Sequence, residues 1–459
     1  MSDLLSDFDA VSAKQWKQKI QVDLKGADYN DTLVYETLEG INIKPFYHSE
    51  DLAPLSLKGN GTPQNWAVTQ QIDTLQGDDK ANAQALDSLG RGAEAIRFTN
   101  VSGKTDFTNL LQDVDLSVHP VYFDFAAEAS DLVEALAKLT DKAGIHLGLD
   151  PIGHLATTGN WRKDETSDIA LLLNQLSQEE AKENRTYLKV DGSLYLNGGA
   201  NSIQQLAYTL AHTAEYLHIL EAQGAPFPKA IWVEMGVGGH YLFEIAKFRA
   251  FRTLWDTLCQ GFDTEISLHL TATPGLRNKT LYDYNVNLLR TTTECMSAIL
   301  GGADAVCNTN YDQLYAHDSE FASRIARNQL IVLKEESSLG QVNNVADGAY
   351  YLESIGAQFS QKALDLFKQL ENQGGFLKLL KEGNIQRKIK ESHLKAQKRF
   401  DAGEEVLIGS NIYPNPEDQM KGNLNIEPFS KPIPHQTKIV PIRPRRLATE
   451  LEQKRLEDE

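Results

Sequence analysis

Cysteine is scarce in this sequence of 459 residues, which contains Cys259, Cys295 and Cys307. No two of them form a CxxC pair, so the spacing argues against a disulfide framework and favours reduced, packed thiols. No window approaches the roughly twenty apolar residues of a membrane span. The first residues, MSDLLSDFDAVS, have no basic segment ahead of an apolar run and do not form a signal peptide. We therefore expect a cytoplasmic protein that does not contact a membrane.

Several catalytic and metal-binding motifs are also missing. The sequence has no HExxH, no histidine pair four residues apart, no Walker loop and no GxSxG turn in its strand context. We expect no metal site. The formal net charge of -18 argues against a nucleic-acid surface, because such a surface needs basic patches to displace counterions. It does not exclude an anionic substrate, since local charge can oppose the total.

Short apolar runs alternate with helical patterns through the middle of the chain. Eight of these runs have the length of a strand, and a helical pattern follows each one. The helical patterns are near Lys80–Leu89, Phe107–Val114, Ser130–Ala143, Ile169–Leu176, Ser202–Ala222, Tyr241–Leu258, Leu281–Leu300 and Ser319–Ser337. The alternation predicts a (β/α)8 barrel, and a doubly wound open sheet is the alternative. The predicted strands are Trp66–Ile72, Ala95–Thr99, Val121–Phe125, His146–Asp150, Tyr187–Asp191, Ala230–Met235, Ile266–Thr271 and Ala303–Cys307.

The flanking segments differ in character from the barrel at 48–340. Residues 1–47 resemble an arm, with an amphipathic helix around Ala13–Asp23 and short extended pieces, and we expect it to pack on this chain or on a partner. Residues 341–430 contain two amphipathic helices, Ser354–Gln373 and Gly375–Phe400, expected to pack on the barrel. Residues 431–459 have the proline-interrupted pattern of an extended linker, followed by a short charged helix.

In a barrel, function gathers at the carboxyl ends of the strands. The predicted ends are mostly polar: Asp73, Asn100, Asp124, Asp150, Asp191, Gly236, Thr271, Thr273, Asn308 and Asn310. Gly236, Gly238 and Gly239 open a helix, where amides can hold an anion, although glycines in such a turn are more often structural. Asp150 with His154 fits either a base and its partner or a turn with a capping aspartate. The residues alone give no convincing catalytic set.

Long passages resemble a known family. They include NSIQQLAYTLAHTAEYL, GGHYLFEIAKFRAFRTLW, RNKTLYDYNVNLLRTTTECMSAILGGADAV and VADGAYYLESI. From about Trp16 to Pro414 the chain resembles the methylmalonyl-CoA mutase family, and within it the small (β) subunit of the two-chain form. The resemblance implies interconversion of methylmalonyl-CoA and succinyl-CoA by radical chemistry. In that family the substrate threads the barrel axis, and adenosylcobalamin is held by a separate C-terminal domain.

The same resemblance shows where this chain departs from catalytic subunits. Their tyrosine-histidine pair, in SGYHMQEAGA, corresponds to Ser193 and Leu194 in DGSLYLNGGA. A leucine cannot donate a hydrogen bond or a proton. Their RTHCQTSG motif corresponds to LHLTATPG, which places the arginine and histidine on Leu268 and Leu270 and the glutamine on Ala272.

Two further family motifs are changed. The HTN-x-x-x-E phrase becomes NTN-x-x-x-L, so Asn310 is a retained family position and the acid is replaced by Leu314. The tyrosine of TMYAARPW falls near Gly61. The cobalamin-binding D-x-H-x-x-G phrase is absent, since HDSEF at His317 does not match it. The chain ends near the point where a cobalamin-domain remnant would begin.

These departures imply a non-catalytic small subunit that stabilises a large catalytic chain. Adenosylcobalamin is then expected on the partner chain of a heterodimer, and none on this one. Two alternatives stay open from the sequence. In the first, the chain is a catalytic acyl-CoA mutase barrel of altered specificity that uses a cobalamin domain on another chain. In the second, it is a CoA-thioester-binding protein.

Overall fold

Eight parallel strands close into a barrel in the computed structural model, which describes residues 9–51, 65–126, 144–177, 185–317, 319–429 and 436–459. A hairpin, β1 and β2, precedes the barrel. Around the barrel the order is β10-β3-β4-β5-β6-β7-β8-β9. Closure confirms the predicted (β/α)8 barrel, and the open-sheet alternative is wrong. The strands are β1 Tyr35–Glu36, β2 Asn42–Ile43, β3 Ala67–Asp73, β4 Ala95–Val101, β5 Val121–Phe125, β6 Ile145–Leu149, β7 Thr186–Asp191, β8 Ala230–Val237, β9 Ser267–Pro274 and β10 Ala305–Cys307.

Successive side chains of each strand point alternately outward, toward the helices, and inward, toward the barrel axis. On β8, Ile231, Val233 and Met235 belong to the main apolar core, which lies between the strands and the surrounding helices. The intervening Trp232 and Glu234 point the other way, into the barrel interior. The outer face is thus the apolar core of the protein, and the inner face carries its buried polar groups.

The helices follow the predicted patterns with a few differences. The helix predicted over Leu281–Leu300 begins later, at Val286, because turns that are bonded to the C-terminal part of the chain occupy the residues before it. The pattern Gly375–Phe400 forms two helices because Gly383 has φ +77°. The predicted helix Ser130–Ala143 lies outside the described residues. The described helices are Ala13–Asp23, Tyr29–Leu33, Asp78–Gly90, Phe107–Leu110, Pro151–Thr158, Glu165–Leu176, Ser193–Gly198, Ser202–Ala222, Tyr241–Gly261, Val286–Gly301, Glu320–Ile331, Tyr350–Asn372, Phe376–Lys381, Asn384–Asp401 and Thr449–Asp458.

The N-terminal arm has an attached part and an exposed part. Ile41 is buried on its own chain, and Asn201 Nδ2 donates to the Leu38 carbonyl at 3.2 Å. The helix Ala13–Asp23 begins with a Ser12 capping box and buries none of its residues. It contacts the rest of the arm through Trp16 beside the Phe46 ring, with centroids 6.2 Å apart, and through Lys17 Nζ, 4.4 Å from the centre of the Tyr29 ring. Its Trp16 is 51% exposed. Trp16 thus presents an exposed aromatic ring on a largely polar helix.

The C-terminal segment 436–447, which the sequence suggests is part of an extended linker, is hydrogen-bonded to the barrel. Its amides donate to two short helices and a loop that follow three different strands: Ile442 N to Ala156 O at 2.7 Å, Arg445 N to Asn197 O at 2.8 Å and Leu447 N to Arg277 O at 3.0 Å. Ile442 and Leu447 are buried. The segment therefore fixes the rim of the barrel. In the part of the chain that is described, no helix is both long and apolar enough to cross a bilayer.

Candidate functional site

Four charged side chains meet in the barrel interior. Arg97 of β4 contacts Glu234 of β8, with Nη2 2.8 Å from Oε2. These two strands are separated by three others in either direction, so the contact spans the axis. Lys189 of β7 lies 2.7 Å from both Glu234 and Asp124, and Arg97 also bonds Asp124. We call Arg97, Asp124, Lys189 and Glu234 the ion quartet.

A layer of rings lies next to the quartet. The Tyr122 hydroxyl of β5 is 2.7 Å from His269 Nε2 of β9, again across opposite strands. The His146 and His269 rings stack with centroids 4.5 Å apart. Trp232 connects the two layers: its ring lies 4.3 Å from Lys189 Nζ, and its Nε1 donates to Thr271 Oγ1 at 2.7 Å. Tyr122, His146 and Trp232 are buried, and His269 is partly buried.

The charges of the quartet compensate one another. Burial alone would raise the pKa of Glu234, but the neighbouring Arg97 and Lys189 outweigh it and hold that pKa well below its usual value. Burial likewise lowers the pKa of Lys189, and Asp124 and Glu234 more than reverse this. Both groups are therefore charged at neutral pH. They form a fixed ion network and offer no group poised to exchange a proton near neutrality.

The interior of an eight-stranded barrel is just wide enough to be filled by side chains or to hold one small ligand. A substrate along the axis requires small side chains there. In this barrel the described strands place arginine, lysine, tyrosine, tryptophan and histidine across it. These two layers of large side chains occupy the space in which a substrate would lie.

Ser193 and Leu194 lie at the start of the short helix after β7. Ser193 Oγ donates to Asp191 Oδ1 at 2.6 Å. Leu194 is buried and belongs to the main apolar core. The hydroxyl of Ser193 is therefore already hydrogen-bonded, and the side chain of Leu194 has no polar atom.

Leu268 and Leu270 lie on the outer face of β9, with Leu270 fully buried in the core against the helices. Ala272 is on the same face. The residues of β9 that point inward are His269, Thr271 and Thr273. If the alignment of RTHCQTSG with LHLTATPG is shifted by one residue, the arginine, histidine and glutamine of the motif correspond to these three inward-pointing residues. Their polar atoms are bonded to Tyr122, Trp232 and Glu234.

Asn310 and Leu314 follow β10. Asn310 Nδ2 donates to Ser323 Oγ at 3.1 Å. Leu314 is buried beside the C-terminal segment and supplies no acceptor for a ribose hydroxyl. Gly61 lies outside the described residues.

Asp150 has other partners than the His154 considered from the sequence. It caps the helix Pro151–Thr158 by accepting from Gly153 N at 2.7 Å, which agrees with the capping interpretation. Its Oδ1 also accepts from the Tyr216 hydroxyl at 2.7 Å and lies 3.0 Å from His212 Nε2. Burial would raise the pKa of Asp150, yet His212 and these hydrogen bonds lower it to about 2. The Tyr195 hydroxyl completes the chain, 3.0 Å from His212 Nδ1.

This aspartate-histidine-tyrosine arrangement resembles a catalytic relay, but it is sealed. His212 and Tyr195 have no exposed surface. A base must reach the proton that it removes. The arrangement therefore stabilises the junction of β6, β7 and the helix Ser202–Ala222.

Gly236, Gly238 and Gly239 pack closely against neighbouring side chains. A Cβ at Gly236 would meet Leu196 Cδ2 at 3.0 Å, and one at Gly239 would meet Asn278 Nδ2 at 2.9 Å. The helix that they open has Glu244 in its first turn, buried and paired with Lys247. A carboxylate of the protein thus already stands where an anion would be attracted. The packing favours the structural interpretation of these glycines.

Sequence reasoning missed the quartet and the ring layer. The signal was present, because Arg97, Lys189 and Glu234 each interrupt an apolar strand: AIRFT, YLKVD and IWVEM. What the sequence could not give was the partner of each charge. That depends on which strands lie opposite one another after closure.

A model of the methylmalonyl-CoA mutase family matches residues 64–454. The chain belongs to the methylmalonyl-CoA mutase family. It is 30% identical to the methylmalonyl-CoA mutase small subunit of Porphyromonas gingivalis over 443 residues, covering 90% of this chain and 71% of that one. It is 29% identical to the small subunit of Streptomyces virginiae, covering 90% and 72%. The small subunit of Propionibacterium freudenreichii is 27% identical, covering 94% and 72%.

Proposed function

We propose that this chain is the non-catalytic small subunit of an adenosylcobalamin-dependent methylmalonyl-CoA mutase, and that it stabilises a larger catalytic subunit in a heterodimer. The observation that carries the proposal is the filled barrel interior. In a family whose substrate threads the barrel, cross-axis contacts from Arg97 to Glu234 and from Tyr122 to His269 leave no room for a pantetheine chain. The small-subunit names of several relatives support the same role.

The residues at the family's cofactor positions do not fit adenosylcobalamin. The adenosyl ribose would require an acceptor where Leu314 stands, and the reacting carbonyl would require a donor where Leu194 stands. Both leucines are buried among other side chains. We therefore assign cofactor, substrate and chemistry to the partner chain, and we derive no catalytic step here.

A catalytic barrel served by a cobalamin domain on another chain is the main alternative. It requires an open axis and at least one proton donor close to it. The polar interior groups are instead bonded to one another, as Thr273 to Glu234 at 2.8 Å and Trp232 to Thr271 at 2.7 Å. A CoA-thioester-binding protein requires the same open axis. Both alternatives conflict with the same packing.

Contact with the partner is proposed for the helix Ala13–Asp23. Its Trp16 is 51% exposed, while the following part of the arm is fixed to this chain. An exposed aromatic side chain beside a fixed anchor suits a contact with another subunit. The three free, buried cysteines accord with the cytoplasmic location expected from the sequence.

Co-expression with a methylmalonyl-CoA mutase large subunit tests this assignment. Size-exclusion chromatography should then give a one-to-one complex, and each chain expressed alone should elute separately. Failure to form a complex with any large subunit, combined with mutase activity of this chain in the presence of a separate cobalamin domain, would favour the catalytic alternative.

A further inference from the structure

A cavity of about 420 Å³, within the range of small-molecule sites, lies between the N-terminal arm and the rim of the barrel. The arm hairpin forms one wall. It is held there by the Tyr35 hydroxyl, which accepts from Arg399 Nη2, and by the Leu38 carbonyl, which accepts from Asn201 Nδ2 at 3.2 Å. Segments that follow β7, β8 and β9 form the opposite wall. The ion quartet, the ring layer and the positions aligned with the family's catalytic and cofactor residues all lie outside its lining.

One end of this cavity carries an excess of negative charge. Its carboxylates are those of Glu39, Glu244 and Glu294, and the last two are buried. Glu244 is paired with Lys247, and Glu294 with Lys279 at 2.7 Å. Among the described residues, the carboxylate of Glu39 is bonded only by a backbone amide, at 3.5 Å. Burial lowers the pKa of Lys247, and all three carboxylates oppose this shift, so they lie close to one another. Three carboxylates thus stand beside two ammonium groups.

The other end carries an excess of positive charge. Three guanidinium groups line it, those of Arg277, Arg290 and Arg399. Arg277 donates from Nη1 to His393 Nδ1 and to a backbone carbonyl, each at 3.0 Å, so neither acceptor is a carboxylate. Arg290 donates from Nη2 to the Ile408 carbonyl at 2.7 Å, next to the lining residues 405–407. Among the described residues, these two arginines have only neutral hydrogen-bond partners.

Two acids offset part of this positive charge. Glu405 lines the cavity and acts on two of the arginines. Burial lowers the pKa of Arg277 to about 10, and Glu405 opposes this shift. For Arg399, burial is outweighed by Tyr35 and Glu405, so its pKa is raised. Glu404 lies 3.5 Å from Arg399 Nε, but its side chain is exposed and contributes little. Glu405 is therefore the carboxylate that competes with an anionic group of a ligand at this end.

We propose that this cavity binds a small amino acid, with its ammonium group toward Glu39 and Glu244 and its carboxylate toward Arg277 and Arg399. Guanidinium groups match the two oxygens of a carboxylate, and carboxylates accept hydrogen bonds from an ammonium group. The helix Tyr241–Gly261 begins at the acidic end and its dipole opposes a cation there, but Glu244 in its first turn offsets the dipole. The inference goes beyond the subunit role, because every residue of the site belongs to this chain.

Calorimetric titration of the full chain at low salt tests the site, with alanine and 4-aminobutyrate as probes. Propionate and butyrate lack the ammonium group, and ethylamine and butylamine lack the carboxylate. We expect saturable binding of at least one of the two amino acids, about tenfold or more tighter than binding of its single-charge analogues. Preference for alanine or for 4-aminobutyrate then gives the spacing of the two charges that the cavity accepts.

Two substitutions that each remove one negative charge from the cavity should act in opposite directions. Glu39→Gln should weaken amino acid binding by about tenfold, because it removes charge from the acidic end. Glu405→Gln should tighten binding, because it frees the guanidinium groups. Glu391→Gln removes the same charge from an exposed helix surface outside the cavity and should change the affinity less than about twofold. Thermal unfolding curves that match the wild type verify that each variant is folded.

The proposal is overturned if neither amino acid saturates the protein below about 10 mM, or if a single-charge analogue binds as tightly as the amino acid. It is also overturned if Glu39→Gln and Glu405→Gln change the affinity in the same direction. Damage to the fold cannot imitate the expected pair of results, since Glu405→Gln is expected to gain affinity. None of these outcomes bears on the subunit role, which is tested separately by pairing and turnover.

Discussion

Arg97 and Glu234 stand on opposite strands of the barrel and meet across its axis, with Nη2 2.8 Å from Oε2. A contact of this kind cannot coexist with a molecule threaded along the axis. It also ties four strands together, because Asp124 and Lys189 complete the same network. The barrel interior is thus a network of buried polar contacts, and the proposed non-catalytic role rests on this observation.

Glu234→Gln should destabilise the fold strongly. The substitution keeps the size of the side chain but leaves Arg97 and Lys189 sharing Asp124 as their only described carboxylate. Removing one member of a buried ion network costs about 3–5 kcal/mol. Chemical denaturation should show this loss in the free energy of unfolding. Glu391→Gln, which breaks two exposed helix pairs, with Arg387 and Lys388, should leave the free energy of unfolding nearly unchanged. Equal stability of the two variants would contradict the described network.

Ser193→Ala should leave the turnover of the assembled enzyme nearly unchanged. The hydroxyl lost is bonded to Asp191, and under the proposed assignment it touches no reacting atom. The measurement is the kcat of a complex purified at equal stoichiometry. Leu194→Ala should also preserve turnover, although the cavity left in the core should lower stability by about 2–4 kcal/mol. A large fall in kcat with intact assembly, for Ser193→Ala, would show that this position takes part in catalysis.

Trp16→Ala should weaken pairing with the large subunit without unfolding this chain. Trp16 is exposed, and its ring touches only Phe46 at the edge, 6.2 Å between centroids. Tyr413→Ala removes a more exposed aromatic residue, 81%, far along the chain and serves as the control. Co-purification yields and the dissociation constant of the complex report the effect. Deleting residues 1–24 should have a larger effect than Trp16→Ala.

Deleting residues 1–24 tests the exposed helix more specifically than deleting residues 1–47. Tyr29 and Ile41 are buried on this chain, so the longer deletion would expose part of its own core and mix two effects. If the chain lacking residues 1–24 pairs as tightly as the intact one, the exposed helix is not a subunit contact.

His393→Gln should reduce the loss of stability on mild acidification. In the folded chain the pKa of His393 is about 4, below the 6.5 of a free histidine. Below pH 6.5 the unfolded chain therefore binds a proton that the folded chain does not, and stability falls as the pH drops from 6.5 toward 4. Between pH 7 and pH 5 this histidine should account for about 1–2 kcal/mol. Denaturation curves at the two pH values measure it, and identical slopes for the wild type and the variant would refute it.

Much of the fold could be predicted because the strands of a closed barrel are buried on both faces and appear as short apolar runs. All eight strands lie where the runs are, and the helix Ser202–Ala222 matches its predicted bounds. The errors have local physical causes. Gly383 breaks a continuous helical pattern, and Glu452 fixes the turn at Leu281 from far along the chain.

The candidate site was less predictable. Leu194 and Leu314 are predicted to replace polar positions of the family, because the resemblance aligns them directly, without gaps. Leu268 and Leu270 show the weakness of such alignment, because a shift of one residue on a strand exchanges its two faces. The contacts of Arg97 with Glu234 and of Tyr122 with His269 depend on closure, which places distant strands opposite one another.

The most direct test is a mutase assay with adenosylcobalamin of this chain, of the large subunit, and of their one-to-one complex. We predict that this chain alone does not turn over methylmalonyl-CoA and that the complex does. We also predict that activity disappears when the large subunit loses its own catalytic histidine. Turnover that persists in such a complex, or that requires only this chain and a separate cobalamin domain, would contradict the assignment of a non-catalytic subunit with a filled barrel.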